Sequence, residues 1–307
     1  MTDNARQWDP RDLETLAHKA ISAARAAGEI ISRHYRTGVK ARHKGRGASL
    51  ASQVVTEVDC LAQAAILEIL TPTCDAFDLA ILAEECADSG ERLIKPAFWS
   101  IDPLDGTLAF IRQQPGFSVS IGLVERDGGS LIGVVLDPIA DALYHAIRDT
   151  GVFKNNQPLS LPPLNKNQPL ILQTDPSFQN HPWRQQTVDG LTSIARELKL
   201  PGAEIRYAAG GVMTACQILE NPNICYFKYP RRDNSGGSLW DYAATACLFH
   251  EAGGVATDIF GHPMALNRSG STFMNHRGLL YAATPELATR IRALHGKLDL
   301  LEDQDKR

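Results

Sequence analysis

The sequence predicts a mixed protein of layered helices and sheets, α+β in its first half and α/β in its second. Three observations carry that expectation. A long amphipathic stretch over residues 10–36 precedes a series of apolar runs with a hairpin turn among them. A segment rich in Pro, Asn and Lys, Leu159–Gln168 with Pro162-Pro163 inside it, then interrupts the pattern. Beyond it, strand-like and helix-like segments alternate. The expected units are residues 1–160, carrying most of the chemistry, and residues 161–307.

The first helix is expected over 10–36, with Asp9 as its cap, Pro10 in its first turn and Leu13, Leu16, Ala20, Ile21, Ala24, Ile30 and Ile31 at helical spacing. A second helix is expected over 57–70, with Leu61, Ala65, Ile66 and Ile69 on one face. Strands are expected at Phe77–Leu82, Ala97–Ile101, Phe117–Glu125, Ser130–Leu136 and Ala142–Ile147, with Arg126-Asp127-Gly128-Gly129 as a hairpin turn. In the second half, strands are expected near Leu170–Gln173, Ile205–Ala208, Ile224–Lys228 and Leu280–Ala283, and helices at 182–198, 211–220, 239–252 and 285–297.

Composition narrows the function. At 44% hydrophobic and 21% charged residues the chain is ordinary globular protein, and its net charge of −4 leaves no basic excess for a nucleic-acid polymer. An anionic ligand would have to be drawn by local cations instead. The polar start Met1–Trp8 lacks the apolar core of a signal peptide, and no run approaches the ~18 apolar residues of a membrane span. Six scattered cysteines without a CxxC pair fit reduced thiols in a cytoplasmic protein.

The candidate chemistry lies in Asp102-Pro103-Leu104-Asp105-Gly106-Thr107, directly after the apolar run Ala97–Ile101. Pro and Gly after Asp are turn chemistry. Yet two carboxylates at a strand end, a glycine that permits close approach and a hydroxyl opening a short helix also suit hard cations and a phosphate. Glu84-Glu85 follows Leu79–Leu82, and adjacent carboxylates on a strand face opposite sides, so one can point into a site while the other faces away. Asp241, in Ser238-Leu239-Trp240-Asp241, reads both as a helix cap and as a carboxylate aimed at a metal. Converging carboxylates repel one another, and divalent cations resolve that conflict. Mg²⁺ takes oxygen ligands at about 2.1 Å, and a pair of ions polarises both ends of a phosphate displacement.

These motifs resemble the inositol monophosphatase superfamily: Val55-Thr56-x-x-Asp59, Glu84-Glu85, Asp102–Thr107, Trp240-Asp241-x-Ala243-Ala244 and Gly253-Gly254-Val255, spread over most of the chain. The resemblance implies a layered αβαβα sandwich of the inositol monophosphatase/fructose-1,6-bisphosphatase type. It also implies two to three Mg²⁺ ions, Li⁺ sensitivity and a homodimer. It places Glu84, Asp102 and the Leu104 carbonyl on a first ion, and Asp102, Asp105 and Asp241 on a second. Glu84 would help hold a third ion through water. Thr107, oriented by Asp59, would assist deprotonation of the nucleophilic water, with Glu84 also in the catalytic set. Gly106, Thr107 and Asp105 would surround the phosphate.

Departures from the family bear on the substrate. Ala83 and Cys86 flank the glutamates where relatives carry Gly or Ser and a hydroxyl residue, and Leu108-Ala109 replaces the more familiar residues before Phe110-Ile111. Cys86 is expected to be a buried thiol, with a site-adjacent thiol open to oxidation or soft metals as the alternative. Gly151–Asn155 resembles inositol phosphatases, whereas Tyr229-Pro230-Arg231 resembles the CysQ-like bisphosphate nucleotidases; Arg231 and Arg232 read either as contacts to a second phosphate or as solvent-exposed loop arginines. The basic stretch Lys40–Ser49 reads either as a solvated turn or as a mobile lid. The expected function is a Mg²⁺-dependent phosphomonoesterase acting on inositol monophosphate or a related ester. The alternatives are adenosine 3′,5′-bisphosphate, fructose 1,6-bisphosphate, or a non-catalytic metal- or phosphate-binding protein of the same fold.

Overall fold

The computed structural model describes residues 7–35, 41–43, 54–208, 210–233 and 236–305. In chain order the first elements are α1 (Pro10–His34), β1 (Ala41–His43), β2 (Val54–Thr56), α2 (Glu57–Phe77), β3 (Leu79–Ala83), β4 (Ala97–Asp105) and α3 (Thr107–Ile111). Next come β5 (Ser118–Glu125), β6 (Ser130–Asp137), β7 (Ala142–Ile147), β8 (Val152–Lys154) and β9 (Gln157–Leu159). Then follow β10 (Leu170–Thr174), α4 (Arg184–Glu197), β11 (Ala203–Tyr207), α5 (Gly211–Glu220) and β12 (Ile224–Lys228). A 3-10 turn (Leu239–Asp241), α6 (Ala243–Glu251), β13 (Val255–Thr257), β14 (Leu279–Ala282) and α7 (Pro285–Asp305) complete the chain.

Strands β3 to β9 form one sheet in sequence order, and a second sheet has the order β11-β10-β12-β14-β13. Three cores alternate with these sheets. Helices α1 and α2 cover one face of the first sheet through Leu16, Ala24, Ile31, Ile66 and Leu70. Helices α5 and α6 fill the space between the two sheets, where Phe98 and Val135 meet Ile218, Phe249, Tyr226 and Tyr281. Helices α4 and α7 close the far face of the second sheet with Leu191, Ile194, Leu287 and Ile291. The result is the five-layer αβαβα sandwich. Each large apolar side chain buried this way contributes about 1.5–3 kcal/mol.

The middle layer lies unusually close to the first sheet. A Cβ on Gly133 of β6 would stand 2.3 Å from the Ala244 carbonyl oxygen, and one on Gly122 of β5 would stand 2.9 Å from the Ala243 Cβ. These glycines let α6 settle onto the sheet, which sets the depth of the 3-10 turn just before it.

Most expected elements form, and the differences have local causes. Asp9 caps α1 by accepting from the Arg11 N–H at 2.8 Å. Helix α2 runs past Pro72 to Phe77, so the following strand starts at Leu79, after Asp78 turns with φ of 57°. By length and composition α2 is also apolar enough to cross a membrane, although it contains no run of ~18 apolar residues. Its Val58, Ala62, Ile66 and Leu70 pack into the protein core, with Asp59 and Gln63 buried beside them. The helix expected over 239–252 is broken at Tyr242 into the 3-10 turn and α6. Glu84 and Glu85 lie in a turn after β3, so the alternation of a strand does not apply to them.

Candidate active site

Asp102 and Asp105 sit at the end of β4. On a regular strand, residues three apart face opposite sides of the sheet. Here Asp102 pairs with Ser120 and Asp105 with Ser118, so β4 advances by one residue more than β5. That bulge brings both carboxylates to one side. It is the side of the middle layer, because Ser120 donates from the same face to the Trp240 carbonyl at 3.2 Å. Asp102 Oδ1 accepts from the Leu104 N–H at 3.0 Å, which folds the Asp-Pro-Leu segment over its own carboxylate.

Asp241 arrives from the 3-10 turn. Its Oδ2 accepts from the Ser238 N–H at 3.0 Å, completing a reciprocal capping box. The capping role is therefore real, and the same carboxylate also joins the β4 pair. Asp102, Asp105 and Asp241 present carboxylate oxygens within 4.8 Å of one another. Asp105 has a second tie: its Oδ2 accepts from the Val212 N–H, at the start of α5, at 3.0 Å. One carboxylate from the first sheet thus caps a helix of the middle layer.

These carboxylates are unstable as anions by themselves. Burial, followed by the charges of Glu84, Asp241 and Asp105, holds Asp102 well above the usual carboxylate range. Burial and the charge of Asp241 push Asp105 up to about 8, against the opposing Val212 N–H bond. Burial and Glu84 push Asp241 up to about 6, with Lys228 pulling the other way. The donors are all hard oxygens under mutual repulsion, which is the chemistry that Mg²⁺ satisfies.

Glu84 extends β3 by donating its N–H to the Ile101 carbonyl at 3.1 Å, which carries its charge to the cluster. Gln63 of α2 holds the same turn. Its Oε1 accepts from the Glu85 N–H at 2.9 Å, and its Nε2 donates to Cys86 Sγ at 3.1 Å. Cys86 is exposed, so the expected buried thiol is corrected: the turn that presents the glutamates to the site also leaves the next side chain at the surface.

On the other side, the Thr107 hydroxyl lies 3.1 Å from Asp59 Oδ1 and 3.1 Å from the Leu104 carbonyl. Both are acceptors, so the hydroxyl proton is committed to the protein and the lone pairs of Oγ1 are left for a donor. Asp59 is 2% exposed, in the first turn of α2. Gly106 precedes Thr107 with φ of 82°, and a Cβ there would stand 2.6 Å from the Gly116 carbonyl. Only glycine fits both the left-handed backbone and that contact.

The model of the inositol monophosphatase family matches residues 12–297. The chain belongs to the inositol monophosphatase family. It is 31% identical over 291 residues to an inositol-1-monophosphatase of Synechocystis, covering 91% of this chain and 93% of that one. It is 31% identical over 248 residues to the Nus factor SuhB of Haemophilus influenzae, covering 80% and 86%. The solved inositol monophosphatase of Anabaena (Nostoc) shares the fold at a TM-score of 0.69 and 23% identity, covering 93% of this chain and 97% of that one.

Asp102, Asp105 and Asp241 come together, Glu84 acts on them through its charge, and Thr107 is bonded to Asp59. Arg231 is bonded in bidentate fashion to Asp233, at 3.0 and 2.8 Å, and Arg232 is exposed. Of the Lys40–Ser49 stretch only the backbone of Ala41–His43 is described, paired antiparallel to Val54–Thr56; the lid reading falls on residues outside the described ones. Two participants escaped the sequence reading. Gln63 follows Asp59 by one helical turn, a buried polar pair on an otherwise apolar face, and that spacing was its signal. Lys228 looked like the end of a strand, and only the meeting of two sheets sets it beside Asp241.

Proposed function

We propose that the protein is a Mg²⁺-dependent phosphomonoesterase, hydrolysing inositol monophosphate or a related small phosphate ester. One observation carries the reading: Asp102, Asp105 and Asp241 converge within 4.8 Å beside a Thr107 hydroxyl whose proton is directed to Asp59 and the Leu104 carbonyl. Two to three ions held by Glu84, Asp102, Asp105, Asp241 and the Leu104 carbonyl would relieve the repulsion among the carboxylates. When bound, Mg²⁺ supplies positive charge to the phosphate oxygens and eases loss of a proton from water near neutral pH.

The chain's own groups do the rest. Thr107 Oγ1 accepts a proton from the attacking water while its own proton rests on Asp59, a nucleophile–base–orienter arrangement. The N–H groups of Gly106 and Thr107, where α3 begins, hold a phosphate oxygen. The new P–O bond forms as the bond to the alcohol oxygen breaks, and that oxygen takes up a proton from solvent, releasing inorganic phosphate and the alcohol.

A second reading, turnover of adenosine 3′,5′-bisphosphate, is favoured by Tyr229-Pro230-Arg231. A third is binding without turnover, which the Nus factor naming of one relative keeps in view. Phosphate release from inositol 1-phosphate and adenosine 3′,5′-bisphosphate, with and without Mg²⁺, separates all three. Turnover of the first with Mg²⁺ is the expected result. Preference for the second selects the nucleotidase reading, and no release from any phosphomonoester leaves the binding protein.

A further inference from the structure

Asp241 is held differently from the other carboxylates of the cluster. Asp102 and Asp105 belong to a strand of the first sheet, whereas Asp241 ends a single 3-10 turn entered through Gly236-Gly237-Ser238. Both glycines adopt positive φ, 91° and 93°, and neither has a side chain to anchor it. What fixes this loop must come from outside it.

Part of the anchorage is backbone. The Met274 N–H donates to the Gly237 carbonyl at 3.0 Å, and the Leu239 N–H donates to the Thr272 carbonyl at 2.9 Å. The rest comes from Tyr242, the residue directly after Asp241. Its hydroxyl donates back to the Gly236 carbonyl at 2.8 Å. The tyrosine is 1% exposed, in the core between the two sheets, and its own carbonyl accepts from the Thr245 hydroxyl at 3.2 Å. The chain therefore closes on itself around Asp241. The closure is tight: a Cβ on Gly237 would stand 2.2 Å from the Tyr242 hydroxyl oxygen and 2.5 Å from Asp241 Oδ2. The Ser238 N–H, next along the loop, is the donor to that same Oδ2. Where Tyr242 holds the loop thus decides where the donor that aims Asp241 stands.

We propose that Tyr242 is a positioning residue for the cation site. By closing the Gly236–Ser238 loop it fixes the direction of Asp241, and so sets the affinity of the cluster for Mg²⁺ while touching neither ion nor substrate. This rests on the metal-dependent reading above and names a determinant of its strength. Groups that orient a metal ligand commonly govern affinity by about ten- to a hundredfold. Without the hydroxyl, the Gly236 carbonyl is left to the Lys228 ammonium, now at 3.4 Å, and the loop shifts away from Tyr242 to shorten that bond.

Tyr242→Phe removes the one hydroxyl and keeps the ring. Calorimetric titration with Mg²⁺ alone is expected to show affinity weakened by about tenfold or more. The Mg²⁺ concentration for half-maximal turnover should rise in step, with kcat at saturating Mg²⁺ kept. Gly237→Ala reaches the same loop from the other side, and its methyl group should weaken Mg²⁺ binding as well. Thr187→Val shows what lost stability does by itself. It removes a buried hydroxyl of the outermost layer, bonded to the Trp183 carbonyl and to Tyr229, and should lower the melting temperature with Mg²⁺ affinity unchanged. Wild-type affinity in Tyr242→Phe overturns the inference, whatever its melting temperature; should that variant not fold, wild-type affinity in Gly237→Ala does so. Equal weakening in Tyr242→Phe and Thr187→Val also overturns it, since the hydroxyl is then an ordinary core bond. The two levels of the argument separate in the same titration. A wild-type protein that takes up Mg²⁺ beside variants of equal affinity removes this inference alone, whereas a wild-type protein that takes up none removes the metal-dependent reading and this inference with it.

Discussion

Asp105 has two duties that a single substitution separates. Its Oδ2 caps α5 through Val212, and its charge belongs to the acidic cluster. Asparagine keeps an oxygen for the Val212 N–H but removes the charge. Asp105→Asn should therefore remain folded, with a melting temperature equal to or above that of the wild type in EDTA at pH 8, because repulsion is relieved. Its Mg²⁺-dependent phosphate release should drop by about a thousandfold. Normal turnover in a folded variant would remove the two-metal assignment. Thr107→Val tests the other flank. It loses the hydroxyl shared between Asp59 and the Leu104 carbonyl, and kcat should fall by about a hundredfold or more, with little change in the Mg²⁺ concentration that gives half-maximal rate. A proportional loss in both would mean that Thr107 serves only the local fold.

The motif Asp102–Thr107 was legible because its chemistry is local, but the element that makes it work is a bulge between β4 and β5. No residue pattern announced that slip in register; it follows from pairing with Ser118 and Ser120. The 3-10 turn is similar. Ser238 and Asp241 signalled a cap, and the break at Tyr242 falls where α6 begins to pack on Gly122 and Gly133. At this scale Gln63 joins α2 to the turn that carries Glu84. Gln63→Leu keeps the buried volume but removes the bond to the Glu85 N–H, a loss of about 1 kcal/mol. We expect a lower melting temperature and a severalfold higher Mg²⁺ requirement in a titration of initial rate. A rise in neither would show that the turn holds itself.

Across the whole molecule, the pKa shifts link stability to pH and to cations. Asp105 is raised to about 8 and Asp241 to about 6, and Asp102 is raised as well, each from 3.8. Without divalent ions the folded protein retains protons that the unfolded chain releases. The sign is then fixed: stability from these groups is complete below about pH 4 and is lost as pH rises towards about 8. Thermal melting in EDTA should show a falling midpoint between pH 5 and 8. Mg²⁺ should raise the midpoint more at pH 8 than at pH 5, since ions and protons compete for the same oxygens. A flat profile in EDTA would mean that water reaches the cluster freely.

The sequence by itself determined the element types, the break between the two sheets and the identity of the acidic residues. Those depend on short-range properties: helical spacing, apolar runs, turn residues and motifs a few residues long. Only the tertiary structure decided that Asp59 meets Thr107 across 48 positions and that Asp105 caps a helix 107 positions away. It also paired Arg231 with Asp233 and brought the charge of Lys228 to bear on Asp241. The physical reason is that charge acts through space. Which carboxylates repel, which cation compensates and which hydroxyl is oriented are settled by the packing of α5 and α6 between two sheets, and no local stretch of chain encodes that distance.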